Sequence, residues 1–127
     1  MSDDPPLIWL ETVVLIGIGG FAGANLRYFV AGVLPGLPGT LIANATGSLM
    51  LGFMLYEAMH TNMLSNETHL VAATGFLSSF TTYSTFALQT TLASTPVLMG
   101  INVLANYVLG FGGVLLGRAV TRLMEVE

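Results

Sequence analysis

Four long stretches of this chain run almost free of charge: about Thr12 to Leu34, Thr40 to Met59, Leu70 to Leu92, and Pro96 to Gly117. Each reaches the ~20 mainly apolar residues that a helix needs to cross a bilayer. Turn signals separate them. Pro35, Gly36, Pro38 and Gly39 combine the fixed φ of proline with the free φ of glycine, and Thr61 to Thr68 form a polar second loop. Ser94 and Thr95 before Pro96 read as an N-cap with proline in the first helical turn. The expected fold is an all-α membrane protein, a single domain over residues 1–127 with four transmembrane helices. An even number of crossings puts both termini on one side.

The third stretch departs from this pattern. From Gly75 it reads Phe76, Leu77, Ser78, Ser79, Phe80, Thr81, Thr82, Tyr83, Ser84, Thr85, Phe86, a run of hydroxyls where apolar residues are expected. Serine and threonine that bond back to carbonyls can bend a helix. A full break would free carbonyls, which membrane depth tolerates only under cover of protein or beside a polar cavity. Freed carbonyls can hold a cation. Tyr83 and Phe86, three apart on the helix after such a break, share a face and can present the positive edges of their rings together.

Composition agrees with lipid as the solvent. The 127 residues are 54% hydrophobic and 8% charged, against roughly 25% charged in an ordinary soluble domain. The charges fall at segment edges, as Asp3, Asp4, Glu11, Glu57, Glu67, Arg118, Arg122, Glu125 and Glu127, with Arg27 the exception. A net charge of −4 without lysine gives nothing for nucleic acid to bind, and the lack of cysteine removes disulfides and thiol chemistry. The start Met1-Ser2-Asp3-Asp4-Pro5-Pro6 has no basic region of the signal-peptide kind, so no cleavage is expected. Arg118 and Arg122 on the terminal side oppose only Arg27, a bias that leaves orientation open under the positive-inside rule.

Several residues are candidates for chemistry. Gly17-Ile18-Gly19-Gly20-Phe21-Ala22 fits the dinucleotide fingerprint in spelling only, because no acidic residue occurs between Glu11 and Glu57. In lipid the GxxxG spacing of Gly19 with Gly23, and of Gly113 with Gly117, serves close helix packing instead. Arg27 lies inside the first span, where it either snorkels to the headgroups or faces a watery vestibule and draws anions. The amide of Asn44 can bond a neighbouring helix or donate to an anion. Asn102 and Asn106, one turn apart, form a polar stripe that could continue an anion path.

Gly19-Gly20-Phe21-Ala22-Gly23-Ala24-Asn25-Leu26-Arg27-Tyr28, then Gly39 to Ser48, then Thr81-Thr82-Tyr83-Ser84-Thr85-Phe86 together resemble the CrcB/Fluc family of fluoride channels, in order and over nearly the whole chain. That resemblance implies an antiparallel, dual-topology dimer in the cell membrane, with two fluoride pores and a structural sodium ion at the dimer interface. It assigns Asn44 as the pore amide, Tyr83 and Phe86 as the aromatic pair that meets fluoride, and Arg27 as the vestibule arginine. The backbone carbonyls of Ser78 and Thr81 would hold sodium, with Gly75 at the packed approach to the break, and the partner would be a second copy or a paralogue. The family usually has glycine at Ser78, phenylalanine at Tyr83, glutamate at Gln89 and serine at Asn106.

Fluoride holds its water strongly, so a path for it must offer donors and polarised edges without rings of formal charge that would trap the ion. Passive export of fluoride, relieving its toxicity, is the function these residues fit. The competing reading is a four-span drug/proton antiporter of the small multidrug resistance type, which needs a membrane-embedded carboxylate; Glu11 and Glu57 are expected at span ends. A non-transporting assembly subunit would leave the polar break without purpose. No nucleophile, base and orienting group recur at one depth, so an enzyme is not expected.

Overall fold

The computed structural model describes residues 5–126; Asp3, Asp4 and Glu127, expected at segment edges, lie outside the described residues. Among the described residues three helices are long and apolar enough to cross a membrane: α1 (Pro5–Val33), α2 (Leu37–Tyr56) and, last in the chain, α6 (Pro96–Val126). At ~1.5 Å per residue, 29 residues make α1 about 43 Å long. The turn between α1 and α2 uses Gly36 at φ 79°, a value that suits glycine. Pro38 follows within the first turn of α2. Thr95 accepts the Leu98 N–H at 3.1 Å and so caps α6 just before Pro96.

The third apolar stretch is divided, which is why no long helix covers it. A π-helical turn over Glu57–Thr61 ends α2. Ser65 then caps the short α3 (Asn66–His69) by accepting the Thr68 N–H. A π-helical segment, Leu70–Leu77, runs into α4 (Ser78–Phe80). Thr81 and Thr82 are extended, at φ −82°, ψ 157° and φ −151°, ψ 120°. Helix resumes as α5 (Tyr83–Thr91). The break therefore stands in the hydroxyl run, at its two adjacent threonines.

Packing joins these elements into two pairs. α1 lies along the first half of the divided span, and α2 lies along α6. Small residues allow both approaches. A Cβ at Gly19 would meet Val71 O and Phe76 N, and one at Gly23 would meet Phe76 O. Val71 and Phe76 are five apart, so a single π turn, with its i to i+5 spacing, sits in the notch that these glycines leave. In the other pair, Gly52 closes on the Val114 backbone, and Gly117 on Leu49 O and Phe53 N. Large apolar side chains such as Phe21, Phe29, Val97 and Phe111 remain on the outside. A surface of that kind is at home in hydrocarbon.

Candidate functional site

The site is built around the interruption. In a continuous helix the Thr82 N–H would bond the Ser78 carbonyl and the Thr85 N–H the Thr81 carbonyl. Side chains capture both amides here. Thr82 N–H donates to Asn44 Oδ1 at 2.8 Å, and Thr85 N–H donates to Thr82 Oγ1 at 3.2 Å. Asn44 also donates its Nδ2 to Thr82 O at 2.9 Å. One amide from α2 thus matches donor and acceptor of one extended residue, as a strand neighbour would. The carbonyls of Ser78 and Thr81 are left without their helical partners.

Two cavities meet at this point. One, of about 390 Å³, is lined by Asn44, Ser78, Thr81, Tyr83, Phe86 and Asn106, with Tyr107 beside them. The other, of about 370 Å³, is lined by Arg27, Thr40, Thr85 and Gln89. Thr82 lines both. Arg27 has no carboxylate within ion-pair distance among the described residues. Gln89 Oε1 is buried there without a hydrogen-bond partner among the described residues.

The aromatic groups form a ladder rather than a pair. Tyr83 and Phe86 have ring centroids 5.8 Å apart. Phe86 in turn meets Tyr107 edge-on, at 6.2 Å and 83°, and Tyr107 stacks on Phe111 at 6.3 Å. Phe86 is buried, whereas Tyr83 is 74% exposed. Tyr107 lies next to Asn106 in sequence, the one signal that could have found it.

Asn102 and Asn106 have unequal places. Asn102 is buried and donates to Thr90 Oγ1 at 2.8 Å, tying α6 to α5, while Thr90 donates to Phe86 O. It lines neither cavity. Asn106 donates to Asn102 O and Oδ1 at 2.8 and 3.1 Å. Its own Oδ1 has no partner among the described residues. Ser78 sits at φ −62°, ψ −30°, a conformation open to any residue, so its side chain does not strain the approach to the break. Its hydroxyl bonds Thr74 O. Gly75 packs against the backbone of Ile16 and Gly19.

The family model for CrcB-like proteins, described as camphor resistance (CrcB), matches residues 14–118. This chain belongs to that family. Among CrcB-related proteins, the fluoride-specific ion channel FluC 1 of Haloarcula marismortui is 56% identical over 123 residues, covering 97% of this chain and 95% of the relative. The fluoride-specific ion channel FluC 2 of Halobacterium salinarum is 50% identical over 117 residues, 91% of each. The FluC 1 channel of Natronomonas pharaonis is 51% identical over 114 residues, covering 88% of this chain and 95% of the relative. With these relatives and its apolar helices, the CrcB-family chain is a multi-pass membrane protein, and its family is one of ion channels rather than enzymes.

Proposed function

We propose that this chain is a fluoride-selective channel of the cell membrane that lets fluoride run passively down its gradient. The observation that carries the reading is the junction at Thr82. An arginine-lined cavity and an aromatic-lined cavity are separated there by one backbone segment, and Asn44 holds that segment in place. Arg27 raises the local anion concentration. Thr40, Thr85 and Gln89 line the arginine cavity, and Tyr83 and Phe86 line the aromatic one, where their ring edges would meet the ion. Among the described residues no fixed positive charge lines the aromatic cavity, so an ion is held weakly enough to leave. Asn102 supports this path through Thr90 from behind.

Liposomes containing only this purified protein should release fluoride and retain chloride, since the larger ion gains less from compact donors. Equal release of the two halides would sink the reading. A proton-coupled antiporter has little support, because the buried carboxylate Glu57 lines neither cavity.

The working unit in this reading is an antiparallel dimer, each copy crossing the membrane four times with its divided third span as one crossing. Tyr83 is 74% exposed and the larger cavity is open on one side. Unsatisfied backbone in hydrocarbon costs several kcal/mol per group. A second copy would cover both. Opposed breaks would bring the Ser78 and Thr81 carbonyls of two chains together, a set of hard oxygen ligands suited to a sodium ion. Bound sodium would supply positive charge that locks the two breaks together.

Replacing all sodium with a large organic cation should lower both the melting temperature and the fluoride flux, with recovery when sodium is restored. Light scattering in mild detergent should give a two-chain mass. A stable, conducting monomer would refute the dimer and the shared ion together.

A further inference from the structure

The two helix pairs, α1 with the first half of the divided span and α2 with α6, make few contacts with each other. Polar bridges connect them instead. One is the Asn44–Thr82 pair at the break. The other lies at the loop end and involves a carboxylate with no exposed surface. Glu57 Oε2 bonds His69 Nε2 at 2.6 Å, and Glu57 Oε1 accepts the Leu64 N–H at 2.7 Å. The carbonyl of Glu57 also accepts the Asn62 N–H at 2.7 Å and the Thr61 hydroxyl at 3.2 Å. Arg118 on α6 does not neutralise this carboxylate, since its guanidinium lies over the Tyr56 ring at 5.7 Å. Tyr56 in turn faces His60, with ring centroids 4.2 Å apart. His69 is the one ion-pair partner of Glu57 among the described residues.

The two bridges are in register. Asn44 precedes Glu57 by thirteen residues, and Thr82 follows His69 by the same number. They are rungs of one antiparallel hairpin, set about 20 Å apart along α2. Packing between α2 and the first half of the divided span is sparse. α1 holds that half at Gly19 and Gly23, and α2 closes on it near the break, where Gly47 faces Thr81 and Phe80. At the loop end the link to α2 is the polar Glu57–His69 bridge. Between the rungs the chain is continuously helical from His69 through the π-helical Leu70–Leu77 into Phe80, so a change of height at one end is carried to the other. A buried carboxylate pulls its partners strongly, because leaving it unpaired is costly.

We propose that Glu57 and His69 are positioning residues, a clasp that sets the axial height of the divided span so that Thr82 meets Asn44. The clasp touches neither cavity and acts on the ion path through the rigid hairpin. This inference rests on the channel reading only for its flux arm.

The test is hydrogen–deuterium exchange of the purified protein in detergent, read on peptides covering residues 78–86, beside fluoride efflux from liposomes. Glu57→Ala should speed exchange of the Thr82 amide by tenfold or more and lower flux by a similar factor. His69→Ala, which leaves the carboxylate one of its two bonds, should move both readouts the same way by less. Glu57→Gln should restore both, because its amide can accept from Leu64 N–H and donate to the His69 ring. Ser65→Ala loosens the same loop by removing the α3 cap and should leave Thr82 exchange unchanged. If Glu57→Ala fails to fold, His69→Ala against Ser65→Ala decides. Thr82 exchange as slow in the clasp variants as in the parent, or equally fast in Ser65→Ala, overturns the clasp whatever the flux. A parent protein that passes no fluoride overturns the channel reading and leaves the exchange result standing.

Discussion

Asn44→Ala should abolish most fluoride flux while the helices remain folded. Its side chain gives Thr82 both a donor and an acceptor. Truncation leaves a backbone N–H and a C=O of a buried residue without partners, at about 1–3 kcal/mol each. A native-like break is then disfavoured by a factor on the order of 100, at about 1.4 kcal/mol per tenfold. Helix content by circular dichroism should barely change, because α1, α2 and α6 do not depend on this pair. Phe86→Ile should also stop conduction, by removing the ring that contacts Tyr83 and Tyr107, without touching the Asn44 bridge. Liposomes carrying either variant at parental flux would remove the break from the ion path.

Gly117→Val should cost about 3 kcal/mol or more and leave little monodisperse protein after detergent extraction. A Cβ at that position would meet Leu49 O and Phe53 N. Overpacking a core costs typically about 1–3 kcal/mol when neighbouring side chains can move, and backbone atoms of a packed helix have no rotamer to change. Helices α2 and α6 must part instead. Gly112→Ala is the contrast, because nothing lies within 4 Å of its added methyl. It should stay within about 1 kcal/mol of the parent, with any change in the stabilising direction from helix propensity. Equal yields and melting temperatures for the two variants would show that the α2–α6 contact is looser than described.

The sequence makes the break legible because hydroxyls in an apolar span have few other uses, and Thr81 and Thr82 fall inside the run. Gly19 with Gly23 and Gly113 with Gly117 were equally readable, since lipid offers small residues few roles beyond close approach. Other features lay out of reach. Asn44 and Thr82 are 38 residues apart, and nothing local says that the amide will match a backbone rather than face an ion. The π-helical form of Leu70–Leu77 goes with the notch that Gly19 and Gly23 leave on α1, which period-counting within the segment does not see. Asn102 and Asn106 share a helical face, yet only Asn106 reaches a cavity, because α5 stands over Asn102. Glu57 reads as a headgroup charge by its place at a span end. Its burial depends on a loop that folds back over it.

Among the described residues Thr82 alone borders both cavities, and Asn44 pins both its backbone N–H and its carbonyl. A narrowing made of side chains can swing aside, as a flap does. One made of pinned backbone has a fixed bore. Traffic through it would respond to the steepness of the gradient and to temperature. In the channel reading proposed above such a protein would work as a drain, and its safety would depend on how strictly the narrowing sorts one halide from another.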